Sequence, residues 1–277
     1  MTRWFLCLPL LLAALACQRS PTPDPPVALT PAMKSKLKSD FAKVRATRVL
    51  FLHHSVGHNI LDGVANLAAE LGEQGFVDAK EEAAFSTGGP QFAHGSRGEN
   101  GKPDTKIQAF VDLFRKQAKH HPDIAFMKFC FVDFNPNSDV DKLFAEYTTA
   151  MGNLAKKHPE VKFVHTTVPL TRRQEGLKWT AFRLVGKSVW GDDSNVKRYQ
   201  FNQRLLETYG PDQVFDLAGV ESTGPDGAPT TFTHQGKSYP SLDPRYTDDG
   251  GHLNQTGQRV AAIALLEFLA KVASSGT

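Results

Sequence analysis

Cysteine is scarce in this sequence, with 3 among 277 residues. Cys7 and Cys17 lie in or directly after an N-terminal apolar run, which leaves Cys130 alone in the remainder of the chain. A disulfide framework within the folded part is therefore excluded. Cys130 itself lies in an apolar run, where a cysteine is expected to be buried as a small hydrophobic residue.

The sequence also lacks a dominant sign of charge. Its 32 Lys and Arg residues nearly balance 29 Asp and Glu residues, and both signs are mixed along the chain. This excludes the basic surface that nucleic-acid binding requires, so no nucleic-acid partner is predicted. With 40% hydrophobic and 22% charged residues, the composition is typical of a globular protein with a sizeable core.

Residues 1–17 have the pattern of a secretory signal peptide. Arg3 precedes an apolar run at residues 4–16, which is shorter than the about 20 residues that span a bilayer. Small residues before Cys17 resemble a bacterial lipobox, in which the cysteine is lipidated and becomes the new N-terminus; ordinary cleavage is the alternative. The lipobox predicts a membrane partner through the lipid, and anchoring in the bacterial cell envelope on the periplasmic side of the outer membrane or the extracellular face.

The rest of the chain divides into a tether region and one domain. Residues 18–30 are proline-rich and polar, which predicts an extended tether, and residues 31–46 predict a lysine-rich helix outside the core. Residues 47–277 contain no second linker and no repeat, so we expect a single α/β domain there.

Strand and helix patterns alternate within this domain. Strands are predicted at residues 49–52, 124–132, 161–168 and 214–217, with a weak candidate at 75–79. One helix is predicted to follow Ser55 and to end at residue 71. Further helices are predicted at 106–120, 138–157, 195–209 and 254–273, and Asn254 is the predicted N-cap of the last one. A glycine-rich loop is predicted at 83–105, and a hairpin turning at Gln235 and Gly236. Strands separated by helices imply parallel pairing, and hence a three-layer α/β/α sandwich.

The stretch from Arg48 to Leu71 joins a buried strand directly to a helix. The connecting residues should therefore lie at the carboxyl edge of the sheet, where open α/β folds hold their ligands. Ser55 comes just before the helix, where it can attack a carbonyl while its own N–H helps to hold the oxyanion. The alternative is that Ser55 only caps the helix.

A second motif, Asp249-Gly-Gly-His252, precedes the closing helix. An acid three residues before a histidine can bend back onto the imidazole and support its charged form. The other ring nitrogen is then free to take the proton of Ser55. Asp248 is a rival for the acid, and a plain surface turn is the alternative for the whole motif.

The two motifs together, FLHHSVG at residues 51–57 and DGGHLNQTG at 249–257, resemble the SGNH (GDSL-type) hydrolase superfamily. The resemblance covers nearly all of residues 49–273. It implies a mainly parallel, flavodoxin-like sandwich and ester hydrolysis by Ser55, His252 and Asp249. The sequence departs from the GDSL motif at His54, which is expected to bind backbone in the turn or to reach the substrate.

The resemblance also implies an oxyanion hole made of the Ser55 N–H, a glycine N–H and an asparagine side chain. Gly101 is the predicted glycine, and its rivals are Gly98, Gly88 and Gly89. The usual Gly-x-Asn-Asp motif is absent after the central strand, so Asn135 is the predicted donor and Asn100 its replacement.

Three residues near this hole are predicted to contact the substrate: His54, Asn100 and Asp133. Asp133 has a second interpretation, in which it orients a neighbouring loop. When ionised it cannot donate to an oxyanion.

Residues 170–193 are longer than a parallel-strand connection needs, and they should overhang the site. Trp179 is predicted to bind substrate there, because aromatic faces suit sugar rings and the nearby arginines suit carboxylates. Packing onto the core is the alternative. At the end of the last strand, Asp216 and Glu221 either bind substrate or tie the following loop down.

No cofactor and no metal are expected. A cluster of His53, His54, His58 and His252 with Asp249 is the metal alternative, but its spacing gives no facial pair on one helix. The sequence therefore predicts a lipid-anchored serine esterase acting on a small-molecule or glycan ester, with O-acetyl groups of carbohydrates preferred. A non-catalytic polysaccharide-binding protein and a glycan O-acyltransferase are the alternatives.

Overall fold

The structure is a computed structural model that describes residues 28–76, 78–86, 88–115, 119–187 and 189–275. The predicted signal peptide, Cys17 and most of the predicted tether lie outside the described residues. Within these ranges, none of the helices combines the length and the hydropathy that crossing a bilayer requires.

Helices and strands alternate along the chain. The helices are α1 Pro31–Arg45, α2 Val56–Leu71, α3 Ala83–Ser86, α4 Pro103–Arg115, α5 Val140–Lys157, α6 Leu177–Leu184, α7 Trp190–Tyr209, α8 Leu217–Glu221 and α9 Gln255–Ser274. The strands are β1 Arg48–Leu52, β2 Asp78–Lys80, β3 Gln91–Gly95, β4 Ile124–Met127, β5 Lys162–Phe163, β6 His165–Thr166, β7 Val214–Phe215, β8 Thr231–His234 and β9 Lys237–Pro240.

Five strands form a parallel sheet in the order β2-β3-β1-β4-β5. Side chains of β1 alternate between two cores, as a strand buried on both faces requires. Val49 and Phe51 pack with α1, α2 and α9, whereas Leu50 and Leu52 pack with α4, α5 and α7. The predicted three-layer α/β/α sandwich is therefore confirmed.

Several local predictions are also confirmed. The side chain of Asn254 accepts from the Gly257 N–H at 3.1 Å and caps α9. Strands β8 and β9 form an antiparallel hairpin that turns at Gln235 and Gly236, with φ values of 47° and 76°. Two residues with positive φ are what a two-residue hairpin turn requires. Cys130 is a buried free thiol.

The prediction that the N-terminal helix lies outside the core is wrong. Leu37, Phe41 and Val44 are buried in α1, and Lys36 Nζ bridges to Glu267 Oε1 of α9 at 2.8 Å. The apolar residues recur at helical spacing between the lysines, so a narrow stripe is enough to pack α1 against α9.

The loop predicted at residues 83–105 contains α3 and the strand β3, which pairs with both β1 and β2. The strand predicted at residues 124–132 ends earlier, at Met127, and a 3₁₀ turn at Phe131–Asp133 follows it. The cap of α5 is Asp139, whose side chain accepts from the Lys142 N–H at 3.0 Å, rather than residue 137 or 138.

Candidate active site

Ser55 lies at the carboxyl end of β1, at the N-cap position of α2. Its side chain makes no capping hydrogen bond. Neither its Oγ nor its N–H has a hydrogen-bond partner among the described residues. The capping alternative is therefore wrong, and both groups are free for a ligand at the positive end of a helix dipole.

Asp249 and His252 form a close pair in the turn before α9. Asp249 Oδ2 lies 2.6 Å from His252 Nδ1, and its Oδ1 accepts from the N–H groups of Gly251 and His252, each at 2.8 Å. Partial burial raises the pKa of Asp249, but these hydrogen bonds outweigh it and lower the pKa to about 2. Asp248 instead accepts from Asn254 Nδ2 at 3.2 Å. The carboxylate beside the imidazole is thus Asp249 and not its rival.

The histidine turn is attached to the beginning of the Ser55 helix. The N–H of Leu253 donates to Asn59 Oδ1 at 3.2 Å. Gly63 of α2 allows α9 to approach closely, since a Cβ there would lie 2.3 Å from the Gln258 carbonyl oxygen. On the other side, the His252 ring meets the Phe131 ring edge to face at 5.4 Å, and Phe131 follows β4, the neighbour of β1. Ser55 and His252 therefore lie at one edge of the sheet, without a hydrogen bond between them.

The predicted oxyanion side contains a buried ion pair. Asp133 Oδ2 accepts from Lys106 Nζ and from the Cys130 N–H, both at 2.6 Å. Its Oδ1 accepts from the Gly101 N–H at 2.8 Å, while Lys106 Nζ also donates to Asn100 Oδ1 at 2.9 Å. Asp133 thus orients the 98–101 loop, which was its second interpretation. This network uses the Gly101 N–H, which corrects the predicted oxyanion hole at that position.

Asn135 lies in an exposed turn, where its Oδ1 accepts from the Asn137 N–H at 2.8 Å. The described contacts do not connect it to Ser55, and its use as an oxyanion donor stays a prediction.

His54 holds the turn at the end of β1. Its Nε2 donates to the Arg97 carbonyl at 3.0 Å, and partial burial lowers its pKa. The preceding His53 shares a hydrogen bond of 3.1 Å with His94, and burial lowers the pKa of His53 to about 2. Of the two alternatives for His54, the structure shows the contact with backbone. The metal alternative does not form among the residues described, because His54 and His252 bind the Arg97 carbonyl and Asp249 instead.

The insertion at residues 170–193 overhangs the site. The Arg172 N–H donates to the Gly250 carbonyl at 2.8 Å, and a pocket of about 260 Å³ lies between the insertion and the histidine turn. The pocket is lined by Phe131, Thr171, Arg172, Arg173, Gln174, Gly191, Asp249, Gly250, Gly251 and His252. A larger groove of about 1030 Å³ between α4 and α5 contains none of these residues.

The pocket presents positive charge. The guanidinium of Arg172 has no acidic partner within the described ranges. Arg173 Nε is buried without a hydrogen bond and lies 3.9 Å from Asp192, which is paired with Arg183 at 2.8 Å.

Trp179 lies on α6, outside the pocket lining. Its ring meets Phe182 edge to face at 5.6 Å, and the Lys178 ammonium lies 4.6 Å from its centroid. The described side chains of α6 include no buried one, and Leu177 is 92% exposed. Packing of Trp179 onto the core is therefore wrong, whereas its contact with substrate stays a prediction.

Asp216 ties down its own loop, whereas Glu221 binds that loop to the start of the 170–193 insertion. Asp216 Oδ1 accepts from the Gly219 N–H at 3.0 Å, and Glu221 Oε2 accepts from the Leu170 N–H at 2.6 Å.

The sequence did not indicate that the cations Lys106 and Arg198 would be buried near the site. For Lys106 the helical spacing could have predicted burial, since this residue lies four residues before Phe110 on the apolar face of α4.

Comparison with known proteins finds solved structures that are similar to this chain at low sequence identity. No family model matches the sequence, and no curated protein matches it. A Streptococcus pneumonia protein provisionally named a platelet activating factor is similar at 14% identity over 85% of this chain and 92% of that chain, with a TM-score of 0.48. A GDSL-like lipase from Parabacteroides merdae is similar at 12% identity over 83% of this chain and 97% of that chain, with a TM-score of 0.42.

A salicylyl-acyltransferase from a tetracycline biosynthetic pathway is similar at 15% identity over 82% of this chain and 55% of that chain, with a TM-score of 0.41. At these identities the likeness concerns the fold alone.

Proposed function

We propose that this protein is a serine hydrolase that cleaves esters through an acyl-enzyme. The observation that carries the proposal is the free hydroxyl of Ser55. It lies at a helix N-terminus, at the same edge as an imidazole already oriented by Asp249. A serine that neither caps its helix nor bonds elsewhere is available as a nucleophile.

In the proposed mechanism, His252 Nε2 takes the proton of Ser55 as the hydroxyl attacks the ester carbonyl. Asp249 holds the ring through Nδ1–H and stabilises the imidazolium that forms. His252 then gives the proton to the departing alcohol, and an acyl-enzyme remains. Water, deprotonated by His252, attacks this ester and releases the acid together with free Ser55.

The Ser55 N–H and the dipole of α2 support the oxyanion in this mechanism. Asn135 or Asn100 is proposed to supply the side-chain donor. Removal of one oxyanion donor costs about 100-fold to 1000-fold in rate in other hydrolases. Because the Gly101 N–H donates to Asp133 instead, we expect a modest turnover number.

The proposed substrate is an O-acyl ester of a carbohydrate, such as an O-acetyl group on an acidic glycan. Arg172 and Arg173 beside His252 support an anionic substrate, and the half-buried Trp179 supports a sugar ring. Arg172→Ala should raise KM for a carboxylate-bearing acetyl ester and leave KM for a neutral acetyl ester unchanged. Equal effects on the two substrates would contradict the assignment of an anionic substrate.

The Cys17 lipid anchor is proposed to place the enzyme in the cell envelope.

The test compares wild type with Ser55→Ala in hydrolysis of p-nitrophenyl acetate and in labelling by a fluorophosphonate. We expect wild type to react at Ser55 and the variant to lose activity by at least about 1000-fold. Ser274→Ala, at the far end of α9, is the matched control and should behave as wild type. Equal rates in wild type and Ser55→Ala would refute the proposal.

The runner-up is a polysaccharide-binding protein on the same fold, and one observation favours it. The Gly101 N–H, which a hydrolase of this type needs for the oxyanion, is bonded to Asp133. Such a protein would bind an acidic glycan without reacting with the fluorophosphonate.

A glycan O-acyltransferase is the third candidate. Transfer of the acyl group to a sugar instead of water uses the same residues, and analysis of the products distinguishes transfer from hydrolysis.

A further inference from the structure

Two histidines and a glutamate converge at the amino edge of the sheet, opposite Ser55. His121 lies just before β4, and His158 and Glu160 lie between α5 and β5. Because β4 and β5 are parallel neighbours, their incoming connections meet at this edge. The candidate active site uses none of these residues.

The geometry of the three side chains suits a single ion. Glu160 Oε1 lies 3.0 Å from His121 Nδ1 and 3.6 Å from His158 Nδ1, and one ligand atom from each residue lies within 4.8 Å of the others. Ligands at about 2.0–2.1 Å from a tetrahedral zinc lie about 3.4 Å apart. The centroids of the two imidazole rings are 4.7 Å apart, which lets both rings reach one ion.

His158 marks the group as more than a surface ion pair. It is 7% exposed, and its Nε2 is buried without a hydrogen-bond partner. Phe114 closes the inner side, with its centroid 5.3 Å from His158 and 6.5 Å from His121.

The charge of the group also suits a cation. Glu160 is exposed and supplies one negative charge beside the two imidazoles.

We propose that His121, His158 and Glu160 bind a divalent transition metal, with zinc as the best fit. Two imidazoles and one carboxylate are ligands that zinc accepts, whereas calcium and magnesium prefer sites built of oxygen alone. Water completes the coordination. The ion joins the connection before β4 to the connection before β5, and it stabilises the fold without entering the reaction at Ser55.

The test titrates the full chain, free of any histidine tag, with Zn²⁺ in a calorimeter and with Co²⁺ followed by its visible absorption. Wild type should bind one ion and give the intense absorption of tetrahedral Co²⁺. His121→Gln, His158→Gln and Glu160→Gln should each weaken binding by about 100-fold, since even groups behind metal ligands cost 10–100-fold. His120→Gln, next to the group but not part of it, is the matched control.

Two outcomes would overturn the proposal: no binding by wild type, or equal affinity in wild type and all three variants. Glu160 is exposed, so Glu160→Gln should fold normally and keeps the test valid if His158→Gln does not fold. Fluorophosphonate labelling of Ser55 is measured in parallel and should be the same in every variant, which separates this test from that of the proposed function.

Discussion

The two halves of the candidate site are built in opposite ways. The base half consists of Asp249 and His252, whose side chains are 57% and 44% exposed and lie three residues apart in sequence. The oxyanion half rests on Lys106 and Asp133, whose side chains are 2% and 0% exposed and belong to different parts of the fold.

This difference implies that the base half mainly determines the rate of the reaction, whereas the oxyanion half mainly determines the stability of the protein. A local turn orients His252 without help from the core, so its residues should govern rate with little effect on stability. The buried pair fixes the 98–101 loop, so its residues should govern stability and the shape of the site. Substitutions that separate rate from stability therefore test the comparison directly.

The largest effect is expected from Asp249→Asn. An amide cannot stabilise the imidazolium, and it favours the wrong tautomer of His252, so kcat should fall by about 10⁴-fold. The free energy of unfolding should change less than on substitution of the buried pair, because the Asp249 carboxylate is exposed and an amide oxygen can still accept from the Gly251 and His252 N–H groups. Ester hydrolysis and urea unfolding measure the two quantities on the same samples.

Asp248→Asn is the control for this substitution. Asp248 is adjacent in sequence but contacts Asn254 rather than His252. It should keep most of the activity, and an equal loss in both variants would contradict the assignment of Asp249.

A smaller effect, now on stability, is expected from Asp133→Asn. The substitution leaves the Lys106 ammonium buried without its anion, which should lower the free energy of unfolding by about 3–5 kcal/mol. Urea denaturation followed by circular dichroism measures this change.

The double variant Lys106→Met with Asp133→Asn tests whether the unpaired Lys106 ammonium causes the loss of stability in Asp133→Asn. It removes the stranded charge and leaves an amide oxygen to accept one backbone N–H. It should be more stable than Asp133→Asn alone. A double variant that is less stable than either single one would show that the ion pair is not what holds the loop.

The same contrast explains what could be predicted from sequence. The spacing of Asp249 and His252, the cap at Asn254 and the turn at Gln235 are local patterns, and the structure contains all three. The position of Ser55 between strand and helix is local as well. Each depends on residues within one turn of one another.

The parts that could not be predicted depend on distant residues. β3 was interpreted as loop because its short apolar run becomes a strand only between β1 and β2. The role of Asp133 depends on Lys106 and Gly101, which lie far away in the chain. Burial of a charged residue has no signature of its own until its partner is known, although the helical spacing of Lys106 with Phe110 gave a hint.

The smallest expected effect is a pH dependence of stability that arises from His53, a buried histidine that belongs to neither half. His53 lies beneath the turn that carries Ser55, where burial lowers its pKa to about 2, with smaller contributions from His58 and Lys128. A histidine in the unfolded chain has a pKa of about 6.5. As the pH falls below 6.5, the unfolded state therefore holds one more proton than the folded state at this position, and stability is lost. Asp249, by contrast, stays ionised down to about pH 2.

We therefore expect the free energy of unfolding of wild type to fall more steeply in acid than that of His53→Gln, by about 1.4 kcal/mol per pH unit between roughly pH 6 and pH 4. His165→Gln should show a similar difference, since burial lowers the pKa of His165 to about 3. Urea denaturation at several pH values measures the slopes. Parallel slopes for wild type and His53→Gln would mean that water reaches His53 in the folded state.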